Sequence, residues 1–142
     1  MIVVAIIGIL AAIAIPSYQT YVAKSQAARV MSESAGLRSL VETCINEGKM
    51  EIGSAQGQCD PGAVGSNLIV GASQTGAVIP ADVGVPQVTI NADGSVDIVA
   101  TFGNKVVPFF VTKDLTWART LDGTWTCTTS IDAEFKPKGC DL

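Results

Sequence analysis

The first fifteen residues of the chain, Met1 to Ile15, contain no charged or polar side chain, and we call them the apolar run. As an α-helix the run would extend about 22 Å, compared with about 30 Å for the hydrocarbon core of a bilayer. Because it has no polar face, every side of such a helix must contact lipid or other apolar side chains. Tyr18 and Tyr21 follow, where aromatic residues with polar tips lie at a membrane interface. The pattern favours a membrane segment.

Two other interpretations of the run fit less well. A secretory signal peptide should end in small residues at its cleavage site, whereas Pro16-Ser17-Tyr18 follows here. A buried core helix should end in a turn, whereas an amphipathic pattern continues directly.

That pattern predicts that the helix continues over residues 23–47 and that its later half packs on a sheet. The small residues near its start, Ala23, Ala27 and Ala28, would instead allow another helix to approach closely. The apolar positions of the pattern recur every three or four residues: Ala23, Ala27, Val30, Leu37, Val41 and Cys44, widened by Leu40 and Ile45. Gly48 is the expected C-terminal cap. The opposite face is charged, and Arg38 and Glu42 have the spacing of an i,i+4 ion pair.

Residues 48–86 are rich in Gly, Ser, Ala and Gln and predict a long αβ-loop, within which residues 67–70 fit either a strand or a helical turn. Residues 87–130 alternate β-branched or aromatic with polar residues, which predicts a β-meander. The predicted strands are Gln87–Asn91, Ser95–Phe102, Lys105–Thr112, Thr116–Leu121 and Thr124–Ser130. The predicted hairpin turns are Asp93-Gly94, Gly103-Asn104 and Asp122-Gly123.

One predicted strand places four apolar residues on one face: Val96, Ile98, Ala100 and Phe102. We expect this face to pack against Leu37 and Val41. The predicted fold class is α+β, with a long N-terminal α-helix on a four- to five-stranded antiparallel β-sheet. We divide the chain into a helix segment, residues 1–22, and a globular head, residues 23–142.

The four cysteines have no CxxC spacing and the chain contains no histidine, so they do not resemble a zinc site. An even number in a small domain predicts two disulfides and an oxidising compartment. Three pairings are possible. We favour Cys44–Cys59 and Cys127–Cys140, because each closes a short polar loop and the second forms a C-terminal disulfide loop over residues 127–140.

The composition argues against an enzyme, because histidine is the commonest general base and metal ligand. The chain also lacks the GxSxG, P-loop and GxGxxG motifs. Asp93 and Asp122 precede turn glycines, where Asp favours turn geometry, so with Asp97 they are weak calcium candidates. We predict no catalytic residue, cofactor or metal site. The net charge of −4 and a basic cluster of only Lys136 and Lys138 make direct DNA binding unexpected.

The string MIVVAIIGILAAIAIPSYQTYVAKSQ resembles the N-terminal helix of type IV pilins, in which FTLIEL stands directly before MIVVAIIGILAAIAIP. The rest of the chain resembles pilins in layout only. By this resemblance we expect a methylated first residue and a nearby glutamate to precede Met1 in the complete protein. The resemblance implies the type IV pilin fold and a structural role.

The resemblance further implies a major pilin that polymerises into a type IV pilus for surface adhesion, twitching motility and DNA uptake. Its expected partners are identical subunits, the inner membrane before assembly, the pilus assembly machinery, and host or abiotic surfaces. The expected final location is the extracellular filament on a Gram-negative cell surface.

Within the filament, we expect ten apolar residues to form the core: Met1, Ile2, Val3, Val4, Ile6, Ile7, Ile9, Leu10, Ile13 and Ile15. Gly8 and Pro16 weaken a helix and bound a segment that we expect to unwind on assembly. Val30, Leu37, Val41 and Ile45 are the expected sheet-packing face.

Two alternatives remain open. A pseudopilin of a type II secretion system shares the N-terminal pattern, but pseudopilins resemble a calcium-bound form without the disulfide loop that Cys127 and Cys140 would close. A membrane-tethered periplasmic enzyme or binding module would require a concave pocket with convergent polar groups.

Overall fold

The structure is a computed structural model and describes residues 1–140, so that Asp141 and Leu142 of the predicted head lie outside the described residues. It begins with helix α1 (Ile2–Ala35), which passes through Pro16 without a break. Helix α2 (Leu37–Asn46) follows after Gly36. Gly36 keeps right-handed helical angles, with φ −60° and ψ −27°, so the backbone continues from α1 into α2 within the helical region.

The end of α2 confirms the predicted cap. Gly48 has a φ of +74°, in the left-handed region that glycine adopts without steric cost. Its N–H donates to the carbonyl of Ile45 at 3.0 Å, and the N–H of Lys49 donates to the carbonyl of Cys44 at 2.9 Å. These two bonds form a Schellman motif, which satisfies carbonyls that the last turn would leave free.

The sheet contains β1 (Ile69–Val70), β2 (Gln87–Ile90), β3 (Val96–Phe102), β4 (Asp114–Arg119) and β5 (Trp125–Thr129). All its pairings are antiparallel. Strand β3 is central: β4 pairs along one side, whereas β1 and β2 share the other side, and β5 pairs with β4. A long helix on a five-stranded antiparallel sheet confirms the predicted α+β fold, and β1 shows that residues 67–70 include a short strand.

The predicted strand Lys105–Thr112 is wrong. These residues belong to the connection between β3 and β4 and contain a 3₁₀ turn, Pro108–Phe110. Pro108 has no N–H to donate to a strand ladder, and the turn directs Phe110 into the core while Phe109 stays 47% exposed. Gly103-Asn104 is therefore not a hairpin turn: the N–H of Gly103 donates to Leu68 across the β1 side of the sheet.

The other two predicted hairpin turns are correct. Asp93-Gly94 joins β2 to β3, and the N–H of Asn91 donates to the carbonyl of Ser95 at 2.9 Å. Asp122-Gly123 joins β4 to β5. In both turns the glycine has a φ close to +90°, which explains why glycine occupies these positions.

The core lies between the helix stripe and β3. Six helix residues are at most 7% exposed: Ala23, Ala27, Val30, Leu37, Val41 and Cys44. The predicted face of β3 (Val96, Ile98, Ala100 and Phe102) is at most 1% exposed and belongs to the same cluster. Ile45 is partly buried against this core. Leu40 is 45% exposed, so its predicted place in the stripe is wrong; its side chain lies over Gly62, where a Cβ would come within 2.6 Å.

Two charged residues of α2 contact the sheet and do not pair with each other. The guanidinium of Arg38 lies 4.0 Å from the centre of the Trp117 ring. The carboxylate of Glu42 accepts hydrogen bonds from Arg119 Nε at 2.6 Å and Trp125 Nε1 at 2.8 Å. The predicted Arg38–Glu42 pair is therefore wrong. Each of the two side chains instead contacts a residue of β4 or β5, where the contact is less exposed to water than an ion pair on the helix surface would be.

Both disulfides have the pairing that the sequence favoured. Cys44 is bonded to Cys59, with 5.4 Å between their Cα atoms, and ties α2 to the αβ-loop. Cys127 is bonded to Cys140, with 4.5 Å between Cα atoms, and ties β5 to the C-terminal segment. Loops of this length predict that each bond contributes about 3 kcal/mol to stability.

The contact between Glu42 and Arg119 predicts a pH-dependent stability. The hydrogen bond from Arg119 holds the pKa of Glu42 below its ordinary value of 4.5, against the opposing effect of burial. Since the folded-state pKa is lowered, the stabilisation is complete above pH 4.5 and is lost as the pH falls through the lowered value. We expect Glu42→Gln to reduce the free energy of unfolding by about 1–2 kcal/mol at neutral pH.

Denaturant unfolding of both proteins as a function of pH measures this effect, and the difference should disappear at low pH. Glu47→Gln is the matched control, because Glu47 pairs with Lys49 at the surface, where the two side chains are 51% and 38% exposed. The control should change stability by less than about 0.5 kcal/mol. A difference for Glu42→Gln that persists unchanged in acid would contradict the assignment.

Candidate assembly surface

The apolar run forms the first half of α1 and makes no contribution to the core. The ten residues expected in a filament core are between 50% and 107% exposed: Met1, Ile2, Val3, Val4, Ile6, Ile7, Ile9, Leu10, Ile13 and Ile15. The most apolar part of the helix is long and hydrophobic enough to cross a membrane, and none of it is buried in the chain. Its side chains therefore have no partner within the described residues of the same molecule.

Burial of a side chain such as Ile or Leu is worth about 1.5–3 kcal/mol relative to exposure. With ten such side chains on one helix, transfer of the helix from water to an apolar environment is strongly favourable in free energy. Because they surround the helix on all sides, a single flat contact would cover only some of them. A bilayer or a bundle of similar helices would cover them all.

Gly8 and Pro16 both lie inside α1 in this single-chain structure. Pro16 has no N–H, so the carbonyl of Ala12 loses its ordinary donor. Thr20 Oγ1 donates to the carbonyl of Pro16 at 3.2 Å, but this bond does not replace the donor that Ala12 lacks. No other side chain lies within 4 Å of the position where a Cβ on Gly8 would stand. The helix is thus intact but weakened at both ends of this segment.

A groove that the sequence did not predict lies where α1 enters the head. This base groove has a volume of about 480 Å³ and is lined by Tyr18, Gln19, Val22, Val107, Pro108 and Phe109. One wall is α1 and the other is the connection between β3 and β4. The N–H of Val107 donates to Gln26 Oε1 at 2.9 Å and fixes this connection on the helix. The only sequence signal was Phe109-Phe110, which breaks the alternation of a strand.

Two of the three candidate calcium ligands, Asp93 and Asp122, have turn roles, and the third, Asp97, lies in strand β3. Asp93 accepts hydrogen bonds from the N–H and Oγ of Ser95, which lower its pKa below the ordinary value. Asp122 accepts a hydrogen bond from Thr120 Oγ1, which lowers its pKa in the same way. Over residues 1–140, no three His, Cys, Asp or Glu side chains come together as a metal site would require.

Comparison with known proteins identifies the family of the chain. Residues 23–141 match the family described as "Pilin (bacterial filament)". The chain belongs to the pilin family. Over 145 aligned residues this pilin is 48% identical to a type IV major fimbrial protein FimA of Dichelobacter nodosus, covering 99% of this chain and 90% of the relative.

Two further relatives also match over nearly the whole chain. A probable minor fimbrial protein of Dichelobacter nodosus is 44% identical over 141 residues, covering 99% of this chain and 89% of the relative. A fimbrial protein of Pseudomonas aeruginosa is 41% identical, covering 96% and 86%. These relatives are named fimbrial proteins, so the exposed apolar helix belongs to a member of a family described by its bacterial filaments.

The position of the apolar run predicts that the head folds without it. A chain that begins at Lys24 loses every residue of the run but keeps the buried stripe from Ala27 to Cys44 and both disulfides. We expect a soluble monomer without detergent, whereas the full chain should require detergent. Gel filtration, circular dichroism and mass measurement without reduction test this. Aggregation or loss of fold in the shorter chain would show that the run is part of the core.

Proposed function

We propose that this pilin is the structural subunit of a type IV pilus and acts by polymerising, with residues 1–22 as the assembly segment and residues 23–142 as the outer head. The observation that supports this most strongly is the apolar run, which is exposed on all sides of a helix attached to a folded, disulfide-bonded domain. Such a chain needs an apolar environment outside itself. The family match and the fimbrial relatives support a filament of pilin subunits as the assembly that provides this environment.

The run has two suitable environments in turn. Before assembly it lies in the inner membrane, where hydrocarbon covers its whole surface. The assembly machinery then transfers it into a bundle of identical runs at the centre of the filament. Repetition of one unsymmetrical contact between subunits, with a rotation and rise that do not close into a ring, builds an open helical polymer.

The heads form the outside of this polymer and carry its contacts with the surroundings. We propose surface adhesion, twitching motility and DNA uptake as the roles of the filament, on the basis of the resemblance to type IV pilins. The head has a net negative charge, so DNA uptake would depend on other components for phosphate contact. The Cys127–Cys140 bond favours a pilus subunit over a pseudopilin.

Two matched substitutions test the filament function. Ile7 and Leu121 are similarly exposed in the single chain, at 61% and 67%, so a charge at either position should leave the head folded. In cells with the assembly machinery, we expect Ile7→Asp to abolish filaments, because a charge in a packed apolar bundle costs several kcal/mol. Leu121→Asp should assemble normally. Electron microscopy and quantification of sheared filaments measure the result, and abundant Ile7→Asp filaments would contradict the proposal.

We further propose that α1 loses hydrogen bonds between Gly8 and Pro16 in the filament. In a bilayer, open backbone groups cost several kcal/mol each, so the helix stays intact there. Neighbouring subunits can shield an extended segment in the filament, and the missing Pro16 donor lowers the cost of opening it. A filament map should show this segment extended. Pro16→Ala filaments should stretch less under load; unbroken helical bonds, or unchanged extensibility, would contradict the idea.

A further inference from the structure

The base groove presents a rigid aromatic surface. All four phenylalanines of the chain form one cluster, in which the Phe109 ring lies 5.0 Å from Phe110 and 5.1 Å from Phe135, centre to centre. Phe110 is 1% exposed and Phe135 is 9% exposed, so Phe109 stacks on buried neighbours. Phe109 itself remains 47% exposed, and its outward position is therefore set by the core beneath it.

The backbone beneath Phe109 is equally constrained. The N–H of Val107 donates to Gln26 Oε1. The ring of Pro108 restricts the φ angle of that residue. The N–H of Phe110 donates to the carbonyl of Val107 at 3.0 Å. A preformed apolar surface loses little conformational entropy when it binds a partner. The base groove is thus built for contact and not merely left uncovered.

The lining restricts what the groove can take. It contains no charged side chain, and its polar groups are the hydroxyl of Tyr18 and the amide of Gln19. The lining therefore favours an apolar occupant. The chain's own apolar run cannot supply it, because that run belongs to the same continuous helix that forms one wall of the groove.

We propose that the base groove receives the apolar run of a second copy of this pilin, with Phe109 in direct contact with it. This rests on the proposed filament function. The groove directly continues the exposed apolar surface of residues 1–15 along α1, so a neighbouring helix that packs on that surface reaches Tyr18, Val22 and Phe109 next. Neither surface is charged, so no ion is left unpaired between them.

The contact also sets an approximate displacement between the two copies. We place the middle of the run, near Ile9, beside Gln19 and Val22 of its neighbour, an offset of 10 to 13 residues. At 1.5 Å per residue, this displaces the second copy along the helix axis by about 15–20 Å. Its head then lies above the first head and not beside it at the same level.

Photo-crosslinking of the full chain tests this contact. Benzoylphenylalanine is placed at position 109, sheared filaments are irradiated, and the covalent dimer is isolated on a gel, which excludes crosslinks within one chain. Trypsin releases the run as residues 1–24 and the groove segment as residues 106–113. We expect the dimer to join these two peptides. The same photo-residue at Leu121, which is 67% exposed on the β4–β5 turn, should not give this product.

The possible outcomes distinguish the two proposals. If the wild type forms filaments but position 109 crosslinks only to another head, or only to phospholipid on a monomer, the base-groove contact is wrong while the filament function stands. If the wild type forms no filaments, both fail.

A substitution gives an independent measurement. Phe109→Ser should reduce the yield of sheared filaments about tenfold, as expected for loss of a central aromatic contact. Leu121→Ser should not reduce it. The amount of cellular pilin with both disulfides formed, measured on non-reducing gels, should be the same for the two variants. An unchanged filament yield for Phe109→Ser would overturn the proposal.

Discussion

The exposed apolar run is the feature on which the rest of this structure depends. Its side chains surround the helix and find no partner within the described part of the chain, from Met1 to Cys140. The drive to remove them from water exceeds what a small domain gains from its own fold. The run therefore needs an apolar environment outside the chain, which the bilayer and the filament core proposed above would each provide, and the head must fold without the run in its core.

The head achieves this by using the second half of the same helix. The stripe from Ala23 to Cys44 is buried on β3, while polar side chains at its margin are bonded to the sheet. Glu42 with Arg119 and Trp125, and Arg38 on Trp117, hold the upper part of the helix, and one disulfide holds its end. All of these contacts lie on the part of the chain that follows the run.

The base groove lies where these two halves meet. Its aromatic wall comes from a connection that packs on α1 through Gln26 and on the core through Phe110. The same four phenylalanines therefore stabilise the head and present a surface at its base.

Local patterns were enough to predict the apolar run, the helix stripe, the Gly48 cap, the two Asp-Gly hairpins and the fold class. Each depends on the spacing of apolar residues or on the backbone preference of a few neighbouring residues, and both can be read from the sequence.

The wrong predictions all involve residues whose partners are distant in the chain. The segment Lys105–Thr112 has strand composition, but burial of Phe110 beside Phe102 and Phe135 decided its 3₁₀ turn. Glu42 and Leu40 were placed by the helix period alone, whereas the sheet and the αβ-loop determined their contacts. The base groove could not be predicted, because its two walls come together only when the connection packs on α1.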